Sequence, residues 1–286
     1  METMASPLVS VIMPARNEAR YIAQAIGSIM TQTYRNWELI VVDDASTDAT
    51  LQIAEQYAAM DARVHVMHRN FRNASKARNC AMAWAEGQYI AHHDADDFSR
   101  HYRLEYELSV LRSLPVQAVY CGMEIVDGNG RFVKSVPASE YDARRLMLRN
   151  YICGASVMHK RNAVERVGGW GQDIDWGLWL RMSQFVQFGH VPAPLYCYRI
   201  HGENQSITRG WIGNRAIEVE IFERLCRRTT DPFARWKLRS LRCQMALVKR
   251  IPGAKHNRYF LYALGKVFGW MEATAYRATE QQEVTR

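Results

Sequence analysis

Three apolar runs early in the chain, residues 8–13, 37–42 and 88–92, each stop at a cluster of polar residues, and helical stretches separate them. Residues 21–31 place Ile22, Ile26 and Ile29 on one helical face. Ser46, Thr47 and Asp48 supply cap chemistry for a second helix reaching about Ala59. A short strand over 64–66 and a helix over 76–86 continue the alternation. Strands separated by helices of about ten residues connect as parallel βαβ crossovers. In such sheets ligands bind outside the carboxyl ends of the strands. The clusters Pro14-Ala15-Arg16-Asn17-Glu18, Asp43-Asp44 and Asp94-Ala95-Asp96-Asp97 all fall at that edge, which makes it the expected site.

The acidic run is the most chemically specific of the three. Carboxylates at alternate positions on a strand end cannot approach an anionic diphosphate unless a hard divalent ion, Mg2+ or Mn2+, bridges them. Not every acid there needs that role, and Asp97 is expected to cap a helix beginning near Ser99. Further along, the pattern predicts a helix from beyond Arg100 to about Leu114 and a strand over 117–123. Asp127-Gly128-Asn129-Gly130 reads as a hairpin turn between 123–125 and 131–133. A helix follows over 176–188, with Leu178, Leu180, Met182 and Phe185 among its apolar positions. Residues 191–194 then lead into a strand over 196–201.

Charge divides the chain. Residues 1–210 carry 22 Lys and Arg against 22 Asp and Glu, whereas residues 211–286 carry 15 against 7, so the whole net charge of +8 lies in the tail. The expected organisation is a neutral catalytic body over 1–210 and a basic helical extension over 211–286. The extension would suit an anionic surface. Leu238, Leu241, Met245 and Val248 have helical spacing, as do Phe260, Leu264, Val267 and Met271 beyond the break at Ile251-Pro252-Gly253. The second run is too short, and broken by Lys266, to span a bilayer. Six cysteines without a CxxC pair argue against a zinc knuckle or a disulfide framework. No basic-then-apolar leader precedes the first strand, which points to a cytoplasmic protein, peripheral at the inner face of the membrane if the tail binds lipid.

In order, the pieces from Val9 to Glu18, Trp37 to Asp48, Ala77-Arg78-Asn79, Asp94 to Asp97, Gly168-Gly169-Trp170, Asp175 to Arg181 and Tyr198-Arg199-Ile200-His201 resemble the family 2 glycosyltransferases. The resemblance covers about residues 8–206. It implies an inverting enzyme of the GT-A fold, a Rossmann-like, mainly parallel α/β sheet flanked by helices. Within the body it implies a nucleotide-binding half to about residue 98 and an acceptor half over 99–210. Its donor would be a UDP-sugar, with a dTDP-sugar as second candidate, and its acceptor a hydroxyl of a cell-surface polysaccharide or lipid-linked glycan. Pro14, Ala15, Arg16, Asn17 and Glu18 would then meet the base and ribose. Asp44, with Asp43 beside it, would accept the imide N–H of uracil or thymine. Arg78 would lie near base and phosphates, and Asp94 and Ala95 at the ribose. Asp96 of the D-x-D pattern would hold Mn2+ or Mg2+ together with His201. Asp175 would be the base that deprotonates the acceptor, with Asp173 as its rival.

The match has departures. Ile174 stands where the family has Glu, and the stretch from Gly169 to Asp175 is short. Asn73 replaces a glycine before the Ala77-Arg78-Asn79 segment and can take a left-handed conformation. His92 and His93 occupy apolar positions and read as a buried, hydrogen-bonded pair. Trp170, Trp176 and Trp179 are candidates for an acceptor wall, with core packing as the competing role. A reading from another class is a non-catalytic module that binds nucleic acid or an anionic membrane through the tail; the neutral body and the acidic constellation oppose it, and no nucleic acid is expected.

Overall fold

The structure, a computed structural model, describes residues 6–171, 175–204, 210–228 and 230–250. Among the described residues two compact units are present, residues 6–141 with 152–201, and residues 142–151 with 202–250. A short segment in the middle of the chain, residues 142–151, groups with the C-terminal unit.

The first unit is built on one sheet. Strands β1 (Val9–Ala15), β2 (Trp37–Asp44), β3 (Val64–Arg69) and β4 (Tyr89–His92) run parallel in the order β3-β2-β1-β4. Helices α1 (Ile22–Met30), α2 (Thr50–Met60) and α3 (Ala74–Trp84) make the crossovers. All eight residues of β2 are buried, as a central strand covered on both faces requires. Ile22, Ala25, Ile26 and Ile29 of α1 join the core beside Val9, Val11 and Met13.

Beyond β4 the sheet becomes mixed. β5 (Phe98–Ser99), α4 (Arg103–Ser113), β6 (Ala118–Asp127) and β7 (Phe132–Val136) follow, and after the second unit's α5 (Ala143–Leu148) come β8 (Val157–Lys160), α6 (Arg161–Glu165), α7 (Asp175–Met182) and β9 (Phe188–Ile200). The path continues β4-β8-β6-β9-β5, with β7 paired to β6. β8 lies antiparallel between β4 and β6, while β6 and β9 are parallel. The hairpin forms where expected: Asp127 Oδ1 accepts from the N–H groups of Asn129 and Arg131, and Gly130 takes φ 80°.

Several expectations are corrected. The helix predicted over 176–188 stops at Met182, Phe185 is 51% exposed, and Phe188 already belongs to β9. Pro192 and Pro194 lie inside that strand at a register shift opposite Gly122, where prolines are tolerated because the ladder is interrupted. Residue 122 must be glycine, since a Cβ would come within 2.6 Å of the Pro192 carbonyl. Asp97 caps no helix. Residues 98–99 are extended, and α4 starts at Arg103 after Tyr102, without a side-chain cap.

The second unit holds α8 (Gly210–Arg228) and α9 (Pro232–Arg250), and α9 contains the periodic run from Leu238. Ile221, Phe222 and Leu225 of α8 are buried, as are Ala234, Leu238 and Leu241 of α9, and Arg242 bonds Glu223 at 2.8 Å. Among the described residues no helix is long and apolar enough to cross a membrane. The apolar run from Phe260 to Met271 lies outside the described residues, as does Asp173.

Candidate active site

The loops after β1 and β2 are sewn together. Ser46 Oγ accepts from the N–H of Asn17 at 3.0 Å, and Asn17 Oδ1 accepts from the N–H of Thr47 at 2.8 Å. Thr50 Oγ1 and Asp48 Oδ2 take the N–H groups of Glu18 and Ala19. Pro14 and Ala15 belong to β1 itself, and Arg16 is exposed at the loop.

Among the described residues three non-glycines have left-handed backbones: Asn17 (φ 57°), Ala45 (φ 59°) and Arg72 (φ 48°). Each follows the carboxyl end of a different parallel strand, β1, β2 or β3. Such torsions persist only where surrounding bonds hold them, and they gather at functional edges. Asn73 is not the left-handed residue. It is extended (φ −155°) and caps α3 by accepting from the N–H of Lys76, while Arg72 carries the positive torsion.

Asp44 explains how Arg72 is held. Its carboxylate accepts from the N–H groups of Phe71 (2.6 Å), Arg72 (2.7 Å) and Asn73 (2.6 Å), and the residue is 3% exposed. In this structure Asp44 organises the loop after β3. Asp43 is fully buried and meets His68 Nδ1 at 2.8 Å.

The acidic run lies at the end of β4. One ligating oxygen from each of Asp94, Asp96 and Asp97 falls within 4.8 Å of the others. Asp94 receives Arg78 Nη2 at 2.6 Å, and its own N–H donates to Tyr196 Oη at 3.2 Å. Asp96 Oδ2 is 3.0 Å from Nε2 of His201, which follows β9, so the two predicted metal residues meet. Burial, then the Asp94 charge, raises the Asp96 carboxyl above its ordinary range, with His201 opposing. Asp97 is 1% exposed and accepts from the N–H of Arg199 at 2.7 Å; burial and its acidic neighbours push it well up. Carboxylates crowded in this way favour either a proton or a cation, and the all-oxygen donors with one imidazole suit a hard divalent ion.

Arg199 binds the rear of this cluster. It is 2% exposed, donates from Nε to the Asp96 carbonyl and from Nη2 to Gln24, and stacks over Tyr21. Arg103, fully buried, donates to the carbonyls of His92 and Ala155 and pairs with Glu107, which fixes the ends of β4 and β8 together. Neither role was foreseen.

Asp175 opens α7. The Arg78 guanidinium is held charged by Asp94 and Asp175 against the opposing effect of its own burial. The two acids thus share one cation, and that brings the expected base to the acidic site.

Of the three tryptophans, Trp179 is packed away from any surface. Trp179 is fully buried against His92 and Phe188, which corrects its assignment to an acceptor wall; Trp170 and Trp176 are each 4% exposed. Trp170 stacks under Arg78 at 4.7 Å. His92 and His93 do not pair with each other. His92 Nε2 meets His159 Nε2 at 2.9 Å on one side of β4, and His93 Nδ1 meets the Asp94 carbonyl on the other.

Comparison with known proteins agrees with this layout. The Glycosyl transferase family 2 model matches residues 10–167. The chain is 36% identical over 269 residues to the putative glycosyltransferase EpsE of Bacillus subtilis, covering 88% of this chain and 93% of that one. It is 36% identical over 203 residues to the UDP-Glc:alpha-D-GlcNAc-diphosphoundecaprenol beta-1,3-glucosyltransferase WfgD of Escherichia coli, covering 70% and 79%. In fold it is similar to the mannosyltransferase PcManGT of Pyrobaculum calidifontis, solved with GDP-Man and Mn2+, with a TM-score of 0.61 at 22% identity over 99% of this chain and 82% of that one. It is also similar to S. aureus TarS 1-349 solved with UDP-GlcNAc, with a TM-score of 0.60 at 21% identity over 75% and 66%. With the sheet, the strand-end clusters and these matches in agreement, this chain belongs to glycosyl transferase family 2.

Proposed function

We propose that the chain transfers a sugar from a UDP-sugar, with a dTDP-sugar as second candidate, to a hydroxyl of a growing cell-surface polysaccharide or lipid-linked glycan, with inversion at the anomeric carbon. The observation that carries this reading is the convergence of Asp94, Asp96 and Asp97 within 4.8 Å at the end of β4, with His201 on Asp96. Asp96 and His201, with Asp94 alongside, would hold Mn2+ or Mg2+, which supplies Lewis-acid stabilisation of the departing diphosphate. The loop from Pro14 to Glu18, with Asp43 and Asp44, would face the base, and Asp94 and Ala95 the ribose. Arg78 would offer its guanidinium to the diphosphate while neutralising the two acids beside it.

Asp175 is the base in this reading. It removes the acceptor proton as the hydroxyl oxygen attacks, from the face of the sugar opposite the leaving group, and that geometry inverts the anomeric centre. Asp173 remains the rival for that role. Trp170 and Trp176 would contribute to the acceptor side by walling the site beneath Arg78 and beside Asp175.

The basic segment 211–286 favours contact with anionic lipid at the inner face of the membrane, where a lipid-linked acceptor is presented. Screening UDP-sugars and dTDP-sugars for metal-dependent hydrolysis tests the donor assignment without an acceptor. Release of UDP from one sugar nucleotide, abolished by a chelator, is expected; equal release with and without metal would contradict it.

A further inference from the structure

Gly154 opens a short 3-10 turn (Gly154–Ser156) just before β8. Its backbone is not left-handed, so conformational freedom is not what glycine contributes here. Space is what it contributes. A Cβ built on Gly154 would lie 1.6 Å from Asp175 Oδ2 and 2.3 Å from its Cγ. The Asp175 carboxylate therefore rests directly on the Gly154 backbone.

That backbone cannot withdraw. The turn is closed by Ser156, whose N–H and hydroxyl both donate to the Cys153 carbonyl, at 3.0 and 2.9 Å. The next carbonyl, of Ala155, is held at 2.8 Å by the buried Arg103, which also grips the His92 carbonyl. A side chain at 154 would have to move Asp175 rather than the turn. Normal contact requires roughly 3.5 Å between such atoms, so the carboxylate would shift by about 2 Å.

We propose that Gly154 is a positioning residue for the transfer reaction: by having no side chain it seats the Asp175 carboxylate in reach of Arg78 and of the incoming acceptor hydroxyl. The inference rests on reading Asp175 as the base. A displacement of about 1 Å at a reacting group costs on the order of 100-fold in rate. Donor binding is affected only through Arg78, which Asp94 also holds, so its change is small beside the loss in rate.

The test compares Gly154→Ala, Asp175→Asn, Asp175→Ala and the double variant Gly154→Ala/Asp175→Ala, each read by kcat, KM for the donor and melting temperature. Gly154→Ala is expected to lose about 100-fold in kcat with donor KM within about threefold of the parent. Its melting temperature should fall much further in the parent than in the Asp175→Ala background, because the shorter side chain removes the contacts at 1.6 and 2.3 Å and leaves only the Asp175 Cβ at 2.8 Å. Should Gly154→Ala fail to fold alone, the double variant must fold. Activity of Gly154→Ala within threefold of the parent, equal losses in kcat and donor affinity, or a melting-temperature loss of the same size in both backgrounds would overturn the proposal. Full activity in Asp175→Asn would instead sink the base assignment itself, and an inactive Asp175→Asn beside an active Gly154→Ala would sink only the role of Gly154.

Discussion

The side-chain amide of Asn79 closes both backbone groups of Trp170: its Oδ1 accepts from the Trp170 N–H at 2.9 Å and its Nδ2 donates to the Trp170 carbonyl at 2.7 Å. Gly168 and Gly169, with φ 81° and 74°, turn the chain into this clasp, and Arg181 of α7 donates to the Gly169 carbonyl at 2.7 Å. Three sequence pieces far apart in the chain thereby brace one another, and Arg78 lies over the Trp170 ring.

Replacing Asn79 with Ala removes both bonds and leaves the Trp170 backbone to find water. At about 1 kcal/mol for each net hydrogen bond, the loss is about 2 kcal/mol. Urea unfolding should show a lower midpoint at unchanged slope. An unchanged midpoint would mean that the clasp contributes nothing.

Asp44→Asn should loosen the loop after β3. The amide presents one acceptor and one donor to three N–H groups, so at least one of Phe71, Arg72 and Asn73 loses its partner. Hydrogen exchange at those three amides should quicken at least tenfold while β1 and β2 stay protected. Equal protection in both proteins would contradict the role given to Asp44.

Ala45 has its left-handed torsion without the glycine that would relieve it. An L-residue there costs roughly 1–2 kcal/mol, and glycine gives back part of that gain as entropy of the unfolded chain. Ala45→Gly is therefore expected to stabilise by about 0.5 kcal/mol in denaturant unfolding, whereas an ordinary Ala→Gly change destabilises.

His159 supplies a pH dependence. Its Nδ1–H donates to the Lys160 carbonyl, so its Nε2 accepts from His92 Nε2–H, and burial pushes the His159 ring down to about 4. Between about pH 6.5 and 4 the unfolded chain binds a proton that the folded chain refuses, so stability falls as pH drops, by about 1.4 kcal/mol per unit. In His159→Gln, which retains an acceptor for His92, the loss from pH 6.5 to 5 should be smaller than in the parent by about 1.5 kcal/mol. The same loss in both would contradict a neutral buried His159.

The parallel half of the sheet was legible because β1, β2 and β4 are apolar runs that end in polar clusters, and burial on both faces writes that pattern directly into composition. β8 was not, because Val157-Met158-His159-Lys160 is short and the hydrogen bonding that makes His159 a core residue is tertiary. The prolines hid the first half of β9, since only the bulge opposite Gly122 makes them acceptable in a strand. At the site, the acids were found from their order along the chain, whereas Gly154 left only one faint mark, a run of small residues, Cys153-Gly154-Ala155-Ser156. Asp97 was misread as a cap because its true partner, the Arg199 N–H, is 102 residues away.

The central claim is that the acidic cluster with His201 binds a nucleoside diphosphate through a divalent cation. Isothermal calorimetry of UDP against the parent and Asp96→Ala, with and without Mn2+, tests it most directly. Mn2+ should tighten UDP binding to the parent by at least tenfold, about 1.4 kcal/mol, and should do nothing for Asp96→Ala. Equal affinity with and without Mn2+ in the parent, or an undiminished Mn2+ effect in Asp96→Ala, would contradict the account.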